Sequence, residues 1–457
     1  MKRFTLAFLA TISLAIAQET KPNIILIFAD DLGYKDCGFT GSVISNTPII
    51  DNLAKQGMVF ENAYAAAGNC APSRASLMSG KYSPSHGVFA VGSTSRGPKD
   101  EMKLIPVKNT EYLKPSYVTI AEALKFQGYK TALFGKWHLG KADETGPLEQ
   151  GFDVYLDQRV SNPNKIWGIP DDPKGMFSLT NEVINFLDLN KTNENPFFVF
   201  LSHHAIHSRL EAKPKTLDKY LKQNYDKQKA LYAACIEDFD ESIGLLLSYL
   251  KATGLDKNTL VIFTSDNGAT NESSQEPLRG NKGGYYEGGI RVPFIAYWPG
   301  KINPGTIIKT PVINIDLYPT FLALAKGNAL DLDGEDLGPI LTNSEKSTKR
   351  KSIFWHFPGY LNDPVIRGRD SIFRTRPVSV IRKGDWKLHL YHEEWLISSS
   401  EEKGIQENAI ELYNLADDIG ERNNLVAENP QKRKELLNDL VQWITETKAP
   451  LPTLPVP

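Results

Sequence analysis

The chain has 457 residues, with 52 Lys and Arg against 54 Asp and Glu and a formal net charge of −2. That length supports a large buried core, and the near-neutral balance argues against a nucleic-acid binder driven by counterion release or a binder of anionic membranes. With 41% hydrophobic and 23% charged residues, 28 Pro and 34 Gly, wholesale disorder and a collagen-like repeat are excluded as well.

Residues 1–17 read as a secretory signal. Lys2 and Arg3 precede an apolar run over 4–17 that is too short for an ordinary membrane span, and Ala15-Ile16-Ala17 offers a small-residue cleavage site. The expectation is export, to the periplasm or beyond, with no integral membrane segment after cleavage. Only Cys37, Cys70 and Cys235 are present, so at most one disulfide can form and at least one sulfur in an oxidising compartment needs another explanation.

Four apolar runs of strand length each end abruptly in polar residues: 23–29 before Asp30-Asp31, 131–135 before Lys136-Trp137-His138, 197–201 before Ser202-His203-His204, and 259–264 before Ser265-Asp266-Asn267. Continuous apolar runs indicate strands buried on both faces, and open α/β sheets gather their sites at the carboxyl ends of such strands. Helices fit between them, over 49–56 after Thr47-Pro48 and before Gly57, over 116–127 before Gly128, and over 227–251 before Gly254. From about residue 352 the texture changes to shorter alternating segments, 378–382, 386–391 and 411–415, followed by an amphipathic helix over 431–447. The fold class expected is therefore α/β, with a large, mainly parallel mixed sheet flanked by helices. Residues 18–350 would form this unit, 351–448 a smaller α+β domain with a short antiparallel sheet, and 449–457 a Pro-rich extended tail.

Cys70-Ala71-Pro72-Ser73-Arg74, followed by Gly80, predicts a short helix with proline in its first turn and glycine past its end. Cys70 then lies at a helix N-terminus, which suits an anion and lowers a thiol pKa, and Arg74 one turn on adds a forked cation. The residues alone leave open a reactive cysteine, an anion site, or a helix start with an incidental buried Cys. Asp30-Asp31 alone reads as a helix cap or loop.

With Leu77, Ser79 and Gly80 behind it, the Cys70 segment resembles the C-x-P-S-R-x-x-L-x-[ST]-G signature of the formylglycine-dependent sulfatases. The resemblance implies an alkaline phosphatase-like fold and oxidation of Cys70 by a sulfatase-maturation enzyme to formylglycine, whose hydrate supplies a nucleophilic oxygen. It also implies a divalent-metal site of Asp30, Asp31, Asp266 and Asn267, all oxygen, favouring Ca²⁺ with Mg²⁺ possible. Gly135-Lys136-Trp137-His138-Leu139-Gly140 matches the family's G-K-W-H-L-G block, so Lys136 would neutralise a sulfate oxygen and His138 would act as base. Ala205-Ile206-His207 stands where relatives carry A-P-H, with Ile206 replacing the proline, and makes His207 the candidate acid for the leaving alcohol. The run from Arg279 to Pro293 resembles a further block in which Lys282 reaches the ester oxygen and sulfate, and Glu411 to Leu415 looks like the family's C-terminal E-L-Y-N-L segment.

The function implied is an exported sulfatase acting on a sulfated carbohydrate or polysaccharide. A phosphomonoester or phosphonate hydrolase is the alternative enzyme, disfavoured by Asn267 after Asp266 with no histidine nearby, where two-zinc phosphatases are histidine-rich. A non-catalytic carbohydrate-binding protein on this fold is the third reading, against which every expected chemical position is filled. Candidates for a sugar pocket are Trp167, His203, His204, His356, Arg367, Arg374 and Arg376.

Overall fold

The structure, a computed structural model, describes residues 20–141, 144–157, 169–398 and 400–455; the signal-like segment and Trp167 lie outside the described residues. Eight strands form the main sheet in the order Val154–Leu156, Lys130–Gly135, Phe197–Ile206, Asn23–Asp30, Thr259–Ser265, Phe294–Tyr297, Met58–Phe60 and Thr306–Ile308. The first five run parallel; Phe294–Tyr297 is antiparallel to both its neighbours, and Met58–Phe60 pairs in parallel with Thr306–Ile308. The expected fold class is the one observed.

Both faces of this sheet are apolar because helices cover both. Along Asn23–Asp30, Ile24, Leu26 and Phe28 join one core with the helices Cys70–Ser79, Ile120–Phe126 and Leu317–Leu324. Ile25, Ile27 and Ala29 join the opposite core with Pro48–Gln56, Met176–Asn190 and Lys227–Thr253. Strand alternation thus sends successive side chains into two different cores, which explains an uninterrupted hydrophobic run.

A second, antiparallel sheet runs Ser352–Phe357, Val378–Lys383, Trp386–Tyr391, Ile410–Asn414. The helix Pro430–Glu446 lays Leu436, Leu440 and Trp443 on it, within a core that also takes in Tyr64, Phe89, Tyr285 and Ile290 from earlier in the chain. Among the described residues no helix is long and apolar enough to cross a membrane, and all three cysteines are buried and free.

Two local expectations are corrected. The helix expected over 116–127 is Ile120–Phe126, because Thr119 and Glu122 form a reciprocal capping box that sets its start. The strand expected to stop at 201 continues to Ile206, since the polar residues at its end are themselves buried. The expected Pro-rich tail is pinned where it is described: Thr453 exchanges backbone hydrogen bonds with Ile105, and Pro450 O accepts from His356 Nε2 at 2.9 Å.

Candidate functional site

Neighbouring parallel strands deliver their carboxyl ends to one place. Asp30 closes its strand, Asp31 follows with φ 70°, and Asp31 N donates to Asp266 Oδ1 at 3.1 Å, tying this loop to the end of Thr259–Ser265. Asn267 Nδ2 donates to Asp31 Oδ1 at 2.8 Å. On the other side, Gly135 has φ 102° and lies so close to Ser202 O that a side chain would collide with it. Lys136 N then donates to Ser202 O at 2.8 Å, the Lys136 side chain reaches Asp30, and His138 lines a cavity beside Ala71, the residue after Cys70.

Cys70 begins the helix Cys70–Ser79, every residue of which is buried, and Gly80 closes it with φ 65°. Asn314 anchors the first turn, its Nδ2 donating to Ser73 O at 3.2 Å and Ser73 Oγ at 2.9 Å, while its Oδ1 accepts from Ala66 N. The sulfur of Cys70, a carboxylate oxygen of Asp30 and a ring nitrogen of His207 all lie within 4.8 Å of one another, as do carboxylate oxygens of Asp30, Asp31 and Asp266.

Each cation here meets a carboxylate. Arg74 donates through Nε (3.0 Å) and Nη2 (2.8 Å) to Asp266 Oδ2, and through Nη1 to Ser202 Oγ. Lys136 Nζ spans both oxygens of Asp30 at 2.9 and 2.7 Å, and Lys282 Nζ those of Asp31 at 2.7 and 2.8 Å. Burial opposes the Asp30 charge, but Lys136 and Arg74 outweigh it and hold the carboxyl well below the usual range. Asp266 goes the other way, pushed up to about 7 by burial and by Asp30 despite Arg74.

The thiol corrects an expectation. Its helix N-terminus and nearby lysines favour a thiolate, yet complete burial dominates and pushes Cys70 up to about 11. Burial, helped by Lys136 and Arg74, drives His138 down to about 3, so its ring is neutral at ordinary pH; its Nδ1 is buried and unpartnered. Burial also lowers His207, whose Nδ1 lies 2.7 Å from Ser208 O and whose Nε2 lies 3.9 Å from Asp31 Oδ2.

The donor set fits a hard divalent cation: three carboxylates converge, and Asn267 Oδ1 is buried with no hydrogen-bond partner. All ten residues expected for chemistry therefore come together. The sugar-pocket candidates do not. His203 packs in the core against the Phe239 ring, His356 is held by Ser379 and Pro450, and Arg376 is taken by Asp370 and Glu393. His204 meets Asp157 Oδ1 at 2.9 Å, and Arg367 is bound to Glu276 and to the Leu278 carbonyl. Arg374 lines a cavity beside Lys282. Sequence reasoning missed Ser202, whose place beside Arg74 was foreshadowed only by its position at a strand end.

A buried sulfur among paired cations and hard oxygen donors, at the carboxyl ends of a parallel sheet, defines a hydrolase for anionic esters. Residues 22–327 match the family model described as Sulfatase, and 281–449 the one described as N-sulphoglucosamine sulphohydrolase, C-terminal. A sulfatase of Formosa agariphila is 32% identical, over 94% of this chain and 90% of its own. The N-acetylgalactosamine-6-sulfatase of Mus musculus is also 32% identical, over 83% and 74%. The crystal structure of Ps i-CgsB in complex with k-i-k-neocarrahexaose superposes with TM-score 0.74 at 28% identity, covering 93% of both chains. The chain belongs to the sulfatase family and is a sulfuric ester hydrolase of alkaline phosphatase-like fold.

Proposed function

We propose that this chain is an exported sulfatase that removes sulfate from a sulfated carbohydrate, with Cys70 converted to formylglycine by a sulfatase-maturation enzyme. Residues 18–350 would carry the chemistry and 351–448 would buttress it. The observation that carries the reading is the convergence of Asp30, Cys70 and His207 within 4.8 Å, ringed by Arg74, Lys136 and Lys282. The carbohydrate substrate is supported by the relatives, one named for N-acetylgalactosamine 6-sulfate chemistry and one crystallised with k-i-k-neocarrahexaose.

Asp30, Asp31, Asp266 and Asn267 would hold Ca²⁺, or Mg²⁺ in its place. When present, the metal supplies a Lewis acid for the sulfate and the matured residue 70 an activated oxygen nucleophile. The protein's own groups do the rest. Arg74 locks Asp266 in place through two hydrogen bonds, and Lys136 and Lys282 offer charge to the sulfate oxygens. His207, whose Nε2 lies 3.9 Å from Asp31 Oδ2, gives a proton to the departing alcohol; burial lowers its pKa in the free protein, and the charge of a bound sulfate ester favours the protonated form. His138, kept neutral by burial, accepts a proton as sulfate is released.

The test is sulfate release from a panel of sulfated glycans by protein co-produced with a maturation enzyme, with Cys70→Ala as blank. Release by the matured protein alone is expected. Release equal to the blank on every glycan and on aryl sulfates overturns the reading.

A further inference from the structure

Cations in and around this site are matched to carboxylates. Beyond Arg74, Lys136 and Lys282, the loops of the second sheet follow the same pattern: Arg367 reaches Glu276, Arg369 reaches Glu394, and Arg376 reaches Asp370 and Glu393. Arg96 and Arg374 depart from it. Among the described residues neither has a carboxylate within 4.0 Å. Arg374 donates only to carbonyls, Asp363 O at 3.1 Å and Lys282 O at 3.4 Å, and Arg96 Nε is buried with no hydrogen-bond partner. Burial and the neighbouring Arg374 both bear against the Arg96 charge, while Asp363 and the Cys70 sulfur act in its favour. Burial likewise lowers Arg374, with Asp363, Asp31 and Glu272 opposing at longer range.

The backbone ties the Arg96 loop to the segment that carries Arg374. Arg96 N donates to Tyr360 O at 3.1 Å, and Tyr360 N to Thr94 O at 2.7 Å. Gly97, with φ 124°, sits so close to the Phe373 ring that a side chain would collide with it. Phe373–Thr375 pairs with Leu361–Asn362, so one small ribbon fixes the Arg96 loop and Arg374 together. The stem of Arg374 lies over Gly283, whose φ of 88° and missing side chain make room for it, one residue from Lys282. Arg374 and Lys282 then share a cavity of about 200 Å³ with Ile206, Ser208, Asn271 and the exposed Glu272. Lys282 thus links this cavity to Asp31 and the cluster around Cys70, which puts the cavity next to the ester that is cleaved.

We propose that Arg96 and Arg374 form a second anion subsite, so that the favoured substrate carries a further carboxylate or sulfate beside the ester that is cleaved. The proposal rests on the sulfatase reading above and narrows its substrate class to polyanionic sugars. An oxyanion bound by Arg374 at the cavity, on the side nearest Arg96, would give each guanidinium the partner that the protein withholds, in the forked geometry for which arginine is suited. A half-buried cation without such a partner is otherwise a cost to the fold.

The test uses Cys70→Ala protein, which cannot turn its ligand over. It is titrated calorimetrically with para-nitrophenyl sulfate and with the ortho-carboxy and ortho-sulfo derivatives of that ester, beside the same protein carrying Arg96→Gln and Arg374→Gln. With both arginines present the dianionic probes should bind about tenfold or more tighter than the monoanion, as charge-assisted hydrogen bonds allow, and the preference should vanish in the double variant. Arg374→Lys, which keeps the charge and loses the fork, should fall between. A preference for the carboxy probe identifies a uronate as the second anion, and a preference for the sulfo probe a second sulfate. The same preference in the double variant, or no preference or no binding with both arginines in place, overturns the proposal. Failure of the sulfatase reading shows separately, as matured wild-type protein that releases no nitrophenol from any probe.

Discussion

Lys387→Met is the substitution whose consequences the structure specifies most fully. Lys387 is wholly buried on the strand Trp386–Tyr391, with Nζ 2.9 Å from Glu287 Oε1 and 2.9 Å from Glu421 Oε1. Glu287 keeps Arg291 at 3.0 Å and Tyr64 OH at 2.8 Å, but Glu421 is left with the Glu287 backbone N–H and His389. Removing one partner from a buried ion pair costs about 3–5 kcal/mol. An unfolding entropy of about 2 cal/mol/K per residue over 457 residues amounts to roughly 0.9 kcal/mol/K, so the unfolding midpoint should fall by about 3–6 °C. Burial already pushes Glu421 up to about 7 despite Lys387, and without the lysine it rises further. A carboxyl raised above its unfolded value takes up a proton on folding, so its penalty is greatest above the folded pKa and is relieved as the pH falls toward the unfolded one. The deficit of Lys387→Met should therefore shrink between about pH 8 and about pH 5, and adding Glu421→Gln should recover part of the loss at the higher pH. Thermal unfolding of the three proteins at both pH values is the assay. A deficit below about 1 kcal/mol, or one that is equal at the two pH values, would refute the reasoning.

Arg74→Lys keeps the charge but cannot make both hydrogen bonds to Asp266 and the one to Ser202; kcat on an aryl sulfate should fall about 100-fold, and steady-state kinetics on matured protein will show whether it does. Chelation should abolish turnover, Ca²⁺ or Mg²⁺ should restore it where Zn²⁺ does not, and metal at about 100 times its Kd should add about 2.7 kcal/mol to stability in a melting experiment. His207→Ala should slow alkyl sulfates by about 10²-fold or more while sparing para-nitrophenyl sulfate, whose leaving group needs no proton; equal losses on both count against the acid role. Because burial holds the His207 pKa below 6.5 in the free protein, kcat/KM for alkyl sulfates should fall as the pH rises past that lowered value, and this limb should be absent from the variant's profile.

The strands were legible in the sequence because burial on two faces leaves a local signature, and the ten candidate residues were singled out there chiefly through the family blocks they resemble. Hydrophobic runs such as Ile24 to Ala29 can mean little else than a covered strand, and a Cys-x-Pro-Ser-Arg helix start is a specific string. What local pattern could not supply was the environment of each polar group. Ser202, His203 and His204 looked like a loop because they are polar, yet they extend a strand whose surroundings satisfy them, His203 beside Thr180 and Phe239 and His204 on Asp157. The helix N-terminus at Cys70 was read correctly as a position and wrongly as a lowered thiol pKa, since desolvation depends on everything packed above it. Arginines that resembled pocket residues were mostly committed to distant carboxylates, as Arg376 is to Glu393. Arg96 gained its meaning only when the Phe373–Thr375 ribbon placed Arg374 in its neighbourhood.

The most direct measurement is the mass of the tryptic peptide spanning Gln56 to Arg74 from protein co-produced with a sulfatase-maturation enzyme. The mass expected is that of a peptide in which Cys70 has lost its sulfur and gained an aldehyde oxygen. An intact thiol at Cys70, in a preparation where a control sulfatase is fully converted, would contradict the assignment of residue 70 as the source of the nucleophile.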